Sequence, residues 1–400
     1  MTDEKYRAKT ELGAKQGKEE EKKPGKEEKE KQSKEHKKEQ KKKTKAEENV
    51  LRESVTLEGW PEVKGYDLEK GFDAPAFFDS LKFTGFQATS LGKAIQLVKC
   101  MRRDNAKIFF GYTSNMITSG VREYIKYLVK NNHVHVLVTT VGGVEEDIIK
   151  TIRPFVIGDY DAPGNQLRDK GVNRSGNIFC PNDRYLYFER FMNRFLDRIY
   201  SAQKTTGKII NTKDFVYELG KELERQSGLI KKGEDIGIDR IDYESSVTYW
   251  AYKNNIPYYC HPITDGSLGD MIYFFKKRNP NFKIDSTDDI VTITDIALNA
   301  EKTGIIALGG SVPKHHIANA NLFRDGADYA VYINLAPEYE GSNSGANPDE
   351  AVSWGKLKDK YNSIKVYSEA SIAFPLLVIG GWDELVMKNG LADSANSKQI

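Results

Sequence analysis

From Lys107 onward, short apolar runs alternate with stretches whose apolar positions recur at helical spacing. The runs Lys107–Tyr112, Val134–Thr140, Ile256–Cys260, Gly304–Leu308, Asp328–Asn334 and Ile364–Tyr367 each read as a buried strand. Each leads into a small-residue or acidic turn. A helical pattern follows several of them, with helix starts at Gly142-Gly143 and near Lys314. Upstream, Phe72–Met101 reads as helical segments broken at the turn Thr84-Gly85-Phe86-Gln87. Buried strands alternating with helices predict an α/β fold with a doubly wound, mostly parallel, Rossmann-like sheet. Ligands of such sheets sit at the carboxyl ends of the strands, where nearly every unusual residue of this chain falls. The stretch Gln226–Glu244, with its Lys231-Lys232-Gly233-Glu234-Asp235 run, reads as a surface insertion between helices.

The pattern stops at the N-terminus. From Lys15 to Glu48 there is no Val, Ile, Leu, Phe, Tyr or Trp, so this stretch has nothing to bury against the entropy of the chain. Residues 1–49 are therefore expected to be a disordered charged tail, and 50–400 a single α/β domain. The tail also explains the charge. Lys15–Glu48 holds 14 Lys and 10 Glu, a balance of +4, and the charges before it cancel. With the whole chain at +2, the body carries about −2, so the basic pI belongs to the tail and nucleic-acid binding is not expected of the fold. Cys100, Cys180 and Cys260 are widely spaced and form no C-x-x-C, which fits a reducing, cytoplasmic setting and no zinc site. No apolar run reaches membrane-spanning length.

The candidate chemistry centres on Lys356, at the end of the run Ser342–Lys356 and beside Trp354 and Gly355. A neutral lysine amine forms imines with carbonyl or imine carbons, and Trp354 offers apolar surface to lower its pKa. The plainer alternative is a solvated charge near a helix end. Acidic residues gather at the strand ends: Glu145, Glu146, Asp265, Asp270, Glu340, Asp349 and Glu350. Some serve helix dipoles, as in the start Asn347-Pro348-Asp349-Glu350. Together with an aromatic wall, they suit a polycationic substrate such as a polyamine. Ser114-Asn115 and Thr140-Val141-Gly142-Gly143 expose backbone N–H groups that suit a dinucleotide phosphate, or else form simple tight turns. In Lys314-His315-His316 a histidine is placed to move protons near neutral pH. His133 and His135 share a strand face, but nothing nearby completes a metal site.

Several of these segments, in order, closely resemble deoxyhypusine synthases. They are Thr113–Ile117, Thr139–Asp147, Thr264–Asp270, Lys314–Asn321, Asp328–Asn334 and above all Ser342–Lys356, within a resemblance running from about Val50 to Leu377. The resemblance implies an NAD-dependent transfer. Spermidine is oxidised, 1,3-diaminopropane leaves, and the aminobutyl group forms an imine with the enzyme lysine. The group then passes to a lysine of the translation initiation factor 5A precursor. By matching position, Lys356 is the expected nucleophile and His315 the expected base. Glu145, Glu146, Asp270, Gly341, Ser342, Asn343, Glu350 and Trp354 are expected at the polyamine. Ser114, Asn115, Met116, Ile117, Thr118, Thr140, Val141, Gly142, Asp265, Gly310, Leu335, Ala336, Glu369 and Ala370 are expected at NAD. The family also implies a homotetramer with sites at subunit interfaces, and an N-terminal helix of which Val50-Leu51-Arg52 would begin a remnant.

The chain departs from the family pattern in places. Asn343 stands where Asp is usual, Ser311 replaces a third Gly, Leu335 replaces a Thr, and Glu340 and Glu369 replace Asp. Two alternatives follow: a weakly active regulatory subunit working with a paralogous partner, and a homospermidine-forming enzyme using the same imine chemistry.

Overall fold

The computed structural model describes residues 44–52 and 54–382. Most of the tail expectation therefore lies outside the described residues. The described residues up to Pro61 and those from Glu62 fall into two compact units. In the first unit, Thr44 caps a short exposed helix, Lys45–Val50, through a reciprocal box with Glu47. Val50 thus ends a helix where one was expected to begin.

The second unit is built on a six-stranded parallel sheet. Its strands are β1 (Lys107–Tyr112), β2 (Val136–Thr139), β7 (Tyr258–Tyr259), β9 (Thr303–Leu308), β10 (Tyr329–Asn334) and β11 (Ser363–Tyr367), in the order β11-β10-β9-β1-β2-β7. Alternation along each strand sorts its side chains into two cores. Ile108, Phe110 and Tyr112 of β1, Ile306 and Leu308 of β9, and Val331 and Ile333 of β10 enter one core. Helices Phe86–Arg103 and Ala370–Gly381 cover it, with Ile95, Val98, Phe374 and Leu377. Phe109, Ile305, Ala307, Ala330 and Tyr332 face the other way. They meet Ile293 and Ala297 of helix Asp288–Leu298 and Ile317 and Ala320 of helix Ser311–Leu322. Helices on both faces make the sheet doubly wound, as expected.

The strand order defines where a ligand fits. The chain runs outward from β1 through β2 to β7, then returns to β9 beside β1 and runs outward the other way. Winding therefore reverses between β1 and β9, whose residues pair from Lys107↔Thr303 to Tyr112↔Leu308. The connections leaving these two strands diverge to opposite sides and open a crevice at their carboxyl ends. Thr113-Ser114 and Gly309-Gly310 flank it.

Other elements were not foreseen. A three-stranded antiparallel sheet joins β3 (Val156–Ile157), β5 (Ile178–Pro181) and β4 (Val172–Ser175), and a two-residue parallel pair joins β6 (Ile210–Asn211) to β8 (Ile284–Asp285). These strands, of two to four residues, are too short to carry a period.

The stretch Gln226–Glu244 is not the surface insertion expected. Helix Thr212–Lys231 runs through its start, burying Gln226 and Ser227, and the Gln226 side-chain amide donates to the Phe191 carbonyl at 3.1 Å. Past the helix, Ile236, Ile238 and Ile241 are buried in the main core, and Arg190 clamps the Gly237 carbonyl at 2.7 Å. The lysine run masks three isoleucines that anchor the segment. Among the described residues, no helix is long and apolar enough to cross a membrane.

Candidate active site

Lys356 owes its placement to the end of the short helix Pro348–Ser353. Asn347 caps this helix by accepting from the Glu350 N–H, with Pro348 at its first position. The sequence posed a difficulty here. Glu350 and Trp354 share a helical face, and a lysine two residues further on would point away. The helix stops instead. Gly355 adopts φ +68°, its N–H donates to the Val352 carbonyl at 2.9 Å, and the Lys356 N–H folds back to the Ala351 carbonyl at 2.9 Å. This reversal carries Lys356 over the Trp354 ring, Nζ to centroid 5.5 Å. The Lys356 carbonyl then accepts from the Ala327 N–H at 3.0 Å, and Leu357 bridges Ala327 in parallel, locking the lysine backbone beside the start of β10.

Lys356 is 9% exposed, and its Nζ makes no hydrogen bond or ion pair among the described residues. Desolvation lowers its pKa from the ordinary lysine value, opposed by the nearby Glu350 carboxylate. Burial lowers two other lysines more strongly, Lys314 and Lys150, each to about 8. Hydrogen bonding separates the three. Lys314 Nζ donates to the carbonyls of Asn343 at 2.7 Å and Ala346 at 3.0 Å, and lies over the Tyr332 ring. Lys150 Nζ donates to the carbonyls of Ile117, Thr118 and Ser119. Both are structural clamps whose amines are committed to carbonyls. Of these three lysines, only Lys356 is desolvated with an amine left unbound.

Beside it, a cleft of about 470 Å³ is lined by Ser311, Val312, His315, His316, Asn319, Ser342, Asn343 and Ser344. His315 is exposed, and partial burial followed by the charges of Lys356 and Lys314 lowers its pKa. Lys314 holds the wall of the cleft together, as does Lys365, which donates to the carbonyls of Ala336 and Gly345. Gly310 must be glycine, since a Cβ there would strike the Ser344 side chain. The next residue, Ser311, sits at φ +55° and donates its N–H to Ser344 Oγ at 2.9 Å. Asn343 Oδ1 is buried and makes no hydrogen bond among the described residues. Gly341, Ser342 and Glu350 are exposed beside it, and Trp354 is 65% exposed.

A second group gathers at the carboxyl ends of β1, β2 and β7. Thr140 Oγ1 accepts from the Ser114 N–H at 3.1 Å, and a Cβ on Gly142 would meet Ser114 Cβ at 2.7 Å, so backbone from both strand ends lines the crevice. Glu145 is buried and accepts from the Leu268 N–H at 2.6 Å. Desolvation raises its pKa, and Asp270 and Asp265 push the same way. Glu146, raised to about 7 mainly by burial, accepts a short hydrogen bond from Thr118 Oγ1. Asp265, Asp270 and Asn115 are exposed. The side chains of Met116, Ile117, Val141 and Ala370 lie in the apolar core, so only their backbone is available to a ligand. Glu369 caps its own helix by accepting from the Ile372 N–H. Leu335 is half exposed, and Ala336 is held by Asn334 and Lys365. Asp147 proves structural, since it is fully buried, pairs with Arg122 at 2.8 Å and caps helix Val247–Lys253.

The expected site residues thus fall into two groups. Lys356, His315, Glu350, Trp354 and Asn343 form one; Glu145, Glu146, Asp265, Asp270 and Ser114 form the other. Among the described residues, no hydrogen bond or ion pair joins them. No spacing or residue type marked Lys150, Lys314 and Lys365 as clamps, or pointed to His261, whose ring meets that of His316. Another cleft, about 460 Å³ at the β7 edge beside Tyr217, Tyr252 and Tyr259, contains none of the expected residues. Among the described residues, no group of three or more His, Cys, Asp or Glu is arranged to hold a metal ion.

Comparison with known proteins gives a consistent answer. Residues 76–380 match the family described as "Deoxyhypusine synthase". A probable deoxyhypusine synthase of Methanocaldococcus jannaschii is 50% identical over 338 residues, spanning 82% of this chain and 98% of its own. A deoxyhypusine synthase of Musa acuminata is 45% identical over 357 residues, spanning 82% and 90%. The crystal structure of a candidate deoxyhypusine synthase from Entamoeba histolytica superimposes with a TM-score of 0.57 at 28% identity, covering 80% of this chain and 97% of that one.

Proposed function

The chain belongs to the deoxyhypusine synthase family, and from that premise we propose that it transfers the aminobutyl group of spermidine, through an imine on Lys356, to a lysine of the translation initiation factor 5A precursor. The observation that carries this reading is the state of Lys356: desolvated, seated on Trp354, and unbound at Nζ. A lysine so held supplies neutral amine for attack on an imine carbon more readily than a solvated one.

The crevice between β1 and β9 fits NAD. Gly142 and Gly310 let backbone come close, the Ser114 and Asn115 turn sits at the point where winding reverses, and Asp265 is an exposed carboxylate suited to ribose hydroxyls. When bound, NAD would accept hydride from the amine and later return it to the product imine. The protein's own part follows from its groups. Carboxylates of Glu146, Asp270 and Glu350 anchor the ammonium groups of spermidine, and Trp354 packs on its methylenes. His315, kept neutral by burial and neighbouring cations, takes the proton released as the amine is oxidised. Lys356 attacks the resulting carbon, 1,3-diaminopropane departs, and the aminobutyl group waits on Lys356 for the acceptor lysine.

Two groups of site residues in one chain are what a site completed between subunits would require, which supports a homotetramer with active sites at its interfaces. A second reading, a weakly active subunit that depends on a paralogous partner, is favoured by Asn343: its buried Oδ1 carries no charge where the substrate presents an ammonium. Both are tested by incubating the purified protein with NAD and spermidine labelled in the aminobutyl group, with and without the precursor. Label on the precursor supports a self-sufficient transferase. No label on either protein favours the dependent subunit.

A further inference from the structure

Three backbone carbonyls in a row converge on one amine. Lys150 Nζ donates to the carbonyls of Ile117 at 2.8 Å, Thr118 at 3.0 Å and Ser119 at 3.2 Å. These carbonyls close the short helix Asn115–Thr118, which leaves the carboxyl end of β1. The last carbonyls of a helix have no partner along their own turn. Here no backbone N–H among the described residues reaches them, because the chain bends away at Ser119 and Gly120 before helix Val121–Lys130 begins. A lysine from another helix fills the gap, the side-chain capping that cations give helix ends.

The chemistry of the two partners matches. Three acceptors take the three N–H bonds of an ammonium group, where a neutral amine has only two to give. Burial, then the Arg122 charge, lowers the Lys150 pKa to about 8, against Glu146, Asp147 and Glu123, so the group is still mostly a cation at pH 7. Its stem runs beside the Phe155 ring, Nζ 5.8 Å from the centroid.

The segment held in this way is the one expected at the cofactor. Ser114 to Thr118 lies where the winding reverses, and its other polar anchors are few. The Ser114 N–H donates to Thr140 Oγ1 at 3.1 Å, and the Thr118 hydroxyl donates to Glu146. Four residues of helix fold weakly by themselves, so the shape of this turn depends on what is clamped to it. Lys150 and Glu146 both belong to helix Gly142–Ile152, whose start also lines the crevice at Gly142.

We infer that Lys150 is a positioning residue for the cofactor: from beneath, it holds the turn Ser114–Ser119 in the shape that NAD meets and ties it to the helix that carries Glu145 and Glu146. The inference rests on the NAD reading of the crevice. Lys150 acts through the turn and forms or breaks no covalent bond. Without it, the turn would have to be ordered as the cofactor binds, and affinity falls by the fraction of time the turn is ready.

The test uses the full chain and two readouts. Lys150→Met keeps most of the stem and removes all three donors; Lys150→Gln keeps two N–H bonds. Lys276→Met is the matched control, since Lys276 clamps the carbonyls of Phe282 at 2.5 Å and Pro280 at 3.4 Å, neither of them a candidate site residue. Hydrogen exchange without NAD, read by mass spectrometry on peptides spanning Thr113–Gly120, should quicken in Lys150→Met and stay parental in Lys276→Met. Titration calorimetry should show the NAD dissociation constant rising about tenfold in Lys150→Met, as for a turn that is ready about one time in ten. Lys150→Gln should recover part of that affinity, and Lys276→Met should bind as the parent does. A parental constant in a folded Lys150→Met, unchanged exchange at the turn, or an equal loss in Lys276→Met overturns the inference. Should Lys150→Met not fold, a parental constant in Lys150→Gln does the same. A parent chain that binds no NAD would sink the cofactor reading and this inference with it, whereas a parent that binds NAD beside an indifferent Lys150→Met sinks the inference alone.

Discussion

Gly355 decides whether Lys356 faces its partners, and replacing it isolates that role. At φ +68°, an L side chain meets its own backbone, at a cost of about 1–2 kcal/mol for Ala. The added Cβ would also lie 3.2 Å from Leu322 Cδ1, a contact that a small shift of a half-exposed leucine relieves. Strain of this size is relieved most cheaply by turning Gly355 out of the left-handed region. That breaks the Lys356 N–H bond to Ala351 and swings Nζ away from Trp354. Gly355→Ala should therefore lower the melting temperature by about 2–8 °C, taking about 2–4 °C per kcal/mol for a large domain. It should also cut the yield of trapped Lys356 imine well beyond what lost stability explains at 25 °C. Gly355→Asn tolerates the left-handed region and should fall between Ala and the parent in both respects. The assays are thermal unfolding and borohydride trapping at saturating spermidine. If Ala performs as well as Asn, or traps imine at the parental rate, the chain reversal is not what positions Lys356.

Asn343→Asp places a charge on the cleft wall, where a charged hydrogen bond exceeds a neutral one by about 1–2 kcal/mol, so the spermidine Michaelis constant should drop by roughly 5- to 30-fold; an unchanged constant would show that this position does not meet an ammonium. Asp147→Ala strands the buried Arg122 and should destabilise the fold by about 3–5 kcal/mol in denaturant titration, and Asp147→Asn by less. The folded pKa of Asp147 is depressed, so its contribution is complete above the unfolded value near 4 and lost as pH falls through the folded one. The parent should therefore lose more stability than Asp147→Asn on acidification below about pH 4. The lysine imine should form faster as pH rises, with a midpoint below that of free lysine near 10.4. Glu350→Gln, which removes the group opposing that shift, should move the midpoint lower still; a midpoint at the free-lysine value in the parent would contradict a desolvated Lys356.

Much of the fold was legible because strands buried on both faces announce themselves as continuous apolar runs. All six strands of the central sheet were found in this way, although β7 spans only Tyr258–Tyr259 within the longer run Ile256–Cys260. The two small sheets were not, because strands of two to four residues have no period to read. Nor was the packing of Ile236, Ile238 and Ile241, since a cluster of lysines and glycines beside them reads as solvent-facing. At the site, residue types and strand-end placement pointed to Lys356 and to the acids. What no spacing reveals is which lysines are committed: Lys314 and Lys150 differ from Lys356 in the carbonyls that tertiary folding brings to their amines. The meeting of the His261 and His316 rings is equally a product of separate segments, and neither residue is unusual alone.

The claim that Lys356 carries the aminobutyl group is tested most directly by trapping. The protein would be incubated with NAD and spermidine, reduced with borohydride, digested, and the modified residue located by mass spectrometry. The aminobutyl adduct is expected on Lys356, absent from Lys314 and Lys150, and lost altogether in Lys356→Ala. An adduct on either clamp lysine, or one that survives Lys356→Ala, would contradict the account.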